Sequence, residues 1–132
     1  MALIDLNHEL NEHSPGNMIL QSFSQTSRTL SITFTCDGGP KEDQALWLIF
    51  KAAVVFHLPS VYSQNVLNFS IASLQRAKQL IPEANFDASE LGDQGFKVFE
   101  LISQSGHPTG YYIVAESVEA KWVALTDCVM VG

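Results

Sequence analysis

The side chains in this chain best suited to hold a metal or move a proton are His8, His13, His57, His107, Cys36 and Cys128. His8 and His13 bracket the stretch HELNEH, which resembles H-E-x-x-H. In that zinc pattern two histidines four residues apart face one ion on a helix, with the glutamate as general base. Here they are five apart, about 140° round a helix of 3.6 residues per turn, so they do not converge. The stretch is expected to be the polar face of a helix near a chain end. Cys36 and Cys128 lie in strand-like segments without a C-x-x-C or a neighbouring histidine, and two reduced, buried thiols are expected. His57, Asp127 and Cys128 could meet in space, but no G-x-S-x-G or comparable elbow places a nucleophile. His107 stands beside Pro108 at a loop tip, where turn chemistry accounts for it. Gly38-Gly39-Pro40 is a tight turn rather than a phosphate cradle, and Asn68-Phe69-Ser70 matters as a glycosylation acceptor only outside the cytosol. No catalytic residue, metal ligand or cofactor site is therefore expected.

The balance of charge narrows the partners. Seven Lys and Arg face fourteen Asp and Glu, a net charge of −7. The cations are scattered, with only Arg76 and Lys78 close together. Binding to nucleic acid or to an anionic membrane needs clustered cations, so both are excluded as partners. Hydrophobic residues make up 46% and charged ones 16%, the composition of one globular domain over residues 1–132. No apolar run reaches the roughly 20 residues of a bilayer span. The first residues, MALIDLNHELNEH, carry acids where a signal peptide is apolar, and a cytoplasmic location is expected.

The elements that would position a site follow from periodicity. Leu3, Leu6 and Leu10 make one helical stripe over residues 2–13, ended by Pro15-Gly16. MILQSFSQ and RTLSITFTC look like strands around Thr26-Ser27, and Leu30, Ile32, Phe34 and Cys36 alternate with Ser31, Thr33 and Thr35. VLNFSIAS alternates again, with Leu67, Phe69 and Ile71 expected inward. Ser73 can cap a helix, LQRAKQLI, whose stripe is Leu74, Ala77 and Ile81, and Pro82 stops it. An acidic connector, EANFDASELGDQG, precedes the strands FKVFELISQ and GYYIVAESV, and KWVALTDCVMV comes last. The fold class is mainly β (α+β): an antiparallel, rolled or sandwiched sheet of about seven strands with one or two short helices.

The most apolar stretch, LWLIFKAAVVFHLPS, carries a Lys and a His inside it. Residues 41–58 have helix boundary signals in Pro40 and Pro59, but their β-branched and aromatic content favours a strand, bent near Ala52-Ala53. One face then carries Leu46, Leu48, Phe50, Ala52, Val54, Phe56 and Leu58 towards the core. The other carries Trp47, Ile49, Lys51, Ala53, Val55 and His57, which Tyr112 could extend. Such a face is either covered by the 74–81 helix, or binds a protein, or forms the mouth of a ligand pocket. A non-enzymatic interaction module, pairing with itself or another protein through this face, is the expectation. The alternative is a small-molecule binder or small enzyme with a pocket near His57 and His107.

Overall fold

The computed structural model describes residues 2–36, 38–62, 66–82, 95–103 and 105–125. In chain order the elements are α1 (Leu3–His13), β1 (Asn17–Ser24), β2 (Thr29–Thr35), β3 (Gln44–Lys51), β4 (Val55–His57) and β5 (Val61–Tyr62). After these come β6 (Val66–Ile71), α2 (Leu74–Leu80), β7 (Lys97–Ser103), β8 (Pro108–Ala115) and β9 (Ser117–Ala124). The strands form a five-stranded sheet in the order β5-β1-β2-β3-β9 and a four-stranded sheet in the order β4-β8-β7-β6. Every pairing is antiparallel, as the alternating sequence leads one to expect.

The sheets share a core because each strand buries one set of alternate residues. Leu30, Ile32 and Phe34 of β2 and Leu46, Leu48 and Phe50 of β3 are fully buried. From the other sheet Phe99 and Phe69 meet the ring of Phe50 edge-on at 5.4 and 5.8 Å. Leu6 and Leu10 of α1 close one side of this core. The helix also finishes a sheet edge. The Asn7 amide donates to the Phe69 carbonyl and accepts from the Phe69 N–H, both at 2.9 Å, so it replaces the missing neighbour of β6.

The apolar stretch is strand, but it does not stay in one sheet. At Ala52 the backbone turns to φ 54°, and the chain leaves the five-stranded sheet for the four-stranded one. Lys51 still pairs with Ser117 of β9, whereas Val55 pairs with Val114 of β8. The Ala53 N–H donates to the Arg28 carbonyl at 2.8 Å and fixes the bend. The chain from β8 to β9 crosses at the same corner, where the Glu116 N–H donates to the Lys51 carbonyl at 3.0 Å.

Three expectations are corrected here. Alternation does not run through the bend: Ala53 is buried and Val54 is 40% exposed, because the positive φ shifts which side each residue takes. Residues 117–118 belong to the last strand, which begins at Ser117, and not to the strand before it. Ile71, expected inward, is 47% exposed at the final position of an edge strand. Residues 83–94 of the acidic connector, and Asp127 and Cys128, lie outside the described residues.

The second helix covers one sheet. Ser73 caps α2 as its sequence suggests, its hydroxyl accepting the Arg76 N–H at 3.1 Å. Ala77 and Ile81 pack on Val98 and Val114, the outward residues of β7 and β8. Beneath the helix Glu100 is 3% exposed. It is bound by two Arg76 bonds of 3.0 and 2.6 Å, the fork-to-carboxylate geometry that suits arginine.

Candidate functional site

Residues of the five-stranded sheet that alternate with the core set form its outer face. Register brings together Ser31 and Thr33 of β2, Trp47, Ile49 and Lys51 of β3, and Glu119, Lys121 and Val123 of β9. Ile19 of β1 lies beside Thr33. Trp47 stands between Thr33 and Lys121, and Ile49 between Ser31 and Glu119. Neither helix lies on this face, since α1 packs on β6 and α2 on the outer side of β7 and β8.

Polar groups hold the face in one arrangement. The Trp47 Nε1–H donates to the Ser31 hydroxyl. Gln21 donates to the Thr33 hydroxyl at 2.9 Å, and both β2 residues are buried although they alternate with the core set. The Lys121 ammonium lies 5.3 Å from the Trp47 ring centroid, within cation–π range. Lys51, whose presence in an apolar run needed a reason, reaches solvent at the strand end and binds Glu119 at 2.9 Å. That hydrogen bond holds the Glu119 carboxyl below the usual carboxylate range. Trp47, Ile49, Glu119 and Lys121 line a shallow depression of about 220 Å³.

The candidate face proposed from sequence divides at the corner. Trp47, Ile49 and Lys51 lie on the outer face just described. Val55, His57 and Tyr112 lie on the outer side of the four-stranded sheet, where His57 pairs with Tyr112. The His57 ring stands 5.7 Å from that of Tyr111 and 5.9 Å from that of Tyr112. The 74–81 helix therefore covers the sheet of Tyr112 and not that of Trp47. His107 is exposed in the β7–β8 loop, its N–H bonded to the Ser103 hydroxyl at 3.3 Å. A second depression, of about 290 Å³, lies at the corner between Phe23, Arg28 and Val54. Glu119 and Lys121 join the face through the β3–β9 register, which no local pattern in the sequence marks.

Three groups on α1 could hold a divalent cation. Donor atoms of Glu9, Glu12 and His13 lie within 4.8 Å of one another. Each already has a partner: His13 binds Glu9 at 3.2 Å and His8 binds Glu12 at 3.1 Å. These are i,i+4 pairs on a helix face, and the two histidines engage different glutamates. Cys36 is half-buried rather than buried, its thiol donating to the His13 carbonyl at 3.8 Å. No family model matches the chain, and no curated protein and no solved structure matches it.

Proposed function

We propose that this chain is a non-enzymatic protein-interaction module that binds through the outer face of its five-stranded sheet, centred on Trp47 and Ile49. One observation carries the reading. The outer side of one sheet is packed under α2, while the other presents a Trp and an Ile with both helices elsewhere. Aromatic anchors ringed by polar groups are where interface energy concentrates. The indole N–H is already bonded to Ser31, so covering it leaves no donor unsatisfied. Lys51, Glu119 and Lys121 are exposed and stand at the rim, where charge orients a partner more than it adds affinity.

Association measured by light scattering and by capture of the partner tests this, comparing wild type with Trp47→Ala and checking the fold by circular dichroism. Loss of association in a folded variant is expected. A folded Trp47→Ala that associates as wild type does would overturn the reading. A cytoplasmic location goes with it, and thiol titration of the denatured protein without reductant should then find both Cys36 and Cys128 reduced.

A further inference from the structure

We propose that the partner is a second copy of this chain, joined edge to edge through β9 so that two five-stranded sheets run on as one across a two-fold axis. The inference deepens the interaction-module reading and rests on it.

The direction of the β9 amides comes first. The Leu125 N–H donates to the Asp43 carbonyl at 3.1 Å, one step beyond the Ala124–Gln44 pair and in the same register. Hydrogen-bonded and non-bonded pairs alternate along an antiparallel ladder. Glu119, Lys121 and Val123 therefore exchange bonds with β3, and Val118, Ala120 and Trp122 turn their N–H and C=O groups outward. No described residue bonds these outward groups. The other edges are managed. Asn7 caps β6 at Phe69, while β4 and β5 are three and two residues long. With eight residues, β9 is the one long described edge without such a cap, and long open edges are templates for pairing.

Charge selects the occupant and the register. Glu119 and Lys121 are exposed on the outer face, two residues apart with Ala120 between them. When two copies of β9 pair antiparallel about Ala120, each Glu119 faces Lys121 of the second copy, and Val118 faces Trp122. Those carboxylate–ammonium pairs fall at non-hydrogen-bonded positions, where Cα atoms approach to about 4.5 Å and side chains are closest. The outward groups of Val118, Ala120 and Trp122 supply the bonds. Centring the pair on Glu119 or on Lys121 instead sets like charges opposite each other. Centring it on Val118 or Trp122 leaves both charges without an opposite partner. Lys51 occupies only Oε1 of Glu119, so Oε2 remains for the second ammonium. Across the axis the outer-face row becomes Trp47, Lys121, then Glu119 and Ile49 of the second copy, and the Trp47 ring, 5.3 Å from the Lys121 ammonium, positions the charge that crosses the axis.

Charge reversal with cross-rescue tests this. Sedimentation velocity on wild type, Glu119→Lys, Lys121→Glu and an equimolar mixture of the two variants should show a dimer, a monomer, a monomer and a dimer. The mixture restores both opposite-charge contacts between unlike chains. The Lys51–Glu119 pair lies within one chain and cannot be repaired by mixing, so rescue reports the edge alone. A monomeric wild type at every soluble concentration, single variants that stay dimeric, or a mixture that stays monomeric would each overturn the proposal. If the mixture stays monomeric while Trp47→Ala still abolishes association, the edge is wrong and the face reading stands. If Trp47→Ala changes nothing either, both fall.

Discussion

The two sheets treat the same chemical pair in opposite ways. On the four-stranded sheet the Glu100 side chain is 4% exposed, and Arg76 of α2 grips it through two bonds. On the five-stranded sheet the Glu119 side chain is 59% exposed and Lys51 holds it through one. Both pairs are close, so distance alone does not set their weight. Burial does: a covered carboxylate has lost its water and depends on its cation, whereas an exposed one has not. The covered face uses its ion pair to seat a helix. The face on which neither helix lies keeps its charges on the rim, beside the apolar groups of Trp47 and Ile49.

The largest expected effect breaks the covered pair. Arg76→Ala leaves Glu100 without its cation and should cost about 3–5 kcal/mol of stability, read from the urea midpoint. Replacing both partners, as Arg76→Met with Glu100→Leu, should recover most of that loss. Trp47→Ala comes next: the indole is half-buried, so about 2 kcal/mol is expected, below the 3–5 of a core Trp, with association lost as well. Ser73→Ala removes the α2 cap and should cost about 1 kcal/mol. Because it loosens only the covered face, association should not change.

The smallest effect is that of Lys51→Met, which should leave the midpoint at neutral pH nearly unmoved because the pair it breaks is exposed. The small difference it makes should vanish in acid. The Glu119 carboxyl is held low by its hydrogen bond from Lys51. The pair's small contribution is thus present above the unfolded carboxylate value of about 4.3 and fades as pH falls through the lower folded one. Lys51→Met should flatten that acid limb slightly, as stability curves over pH would show. A midpoint loss as large as that of Arg76→Ala would erase the distinction between the two faces.

How much of this was legible depended on whether the signal was local. Strand β2 could be read because Leu30, Ile32 and Phe34 alternate with hydroxyls, and α2 because Ser73 and Pro82 bound it. The outward direction of Trp47, Ile49 and Lys51 followed from the same alternation. The bend near Ala52-Ala53 could be read, but not that the chain changes sheets there, since both faces of the run are apolar and alanine gives no sign of a positive φ. Val55 and His57 were assigned to the wrong sheet for that reason. Glu119 and Lys121 joined the face only through the β3–β9 pairing. It brings Lys51 and Glu119 together across 68 residues, a contact that no local pattern encodes.

The most direct measurement is residue-by-residue amide exchange of the wild-type chain by NMR at low and high protein concentration. Raising the concentration should slow exchange at the outward amides Val118, Ala120 and Trp122. Glu119 and Lys121, already bonded to β3, and Val98 and Val114 under α2 should keep their rates. Equal exchange at both concentrations along all of β9, or new protection confined to the four-stranded sheet, would contradict the assignment of the outer face of the five-stranded sheet and its edge as the surface where this chain meets its partner.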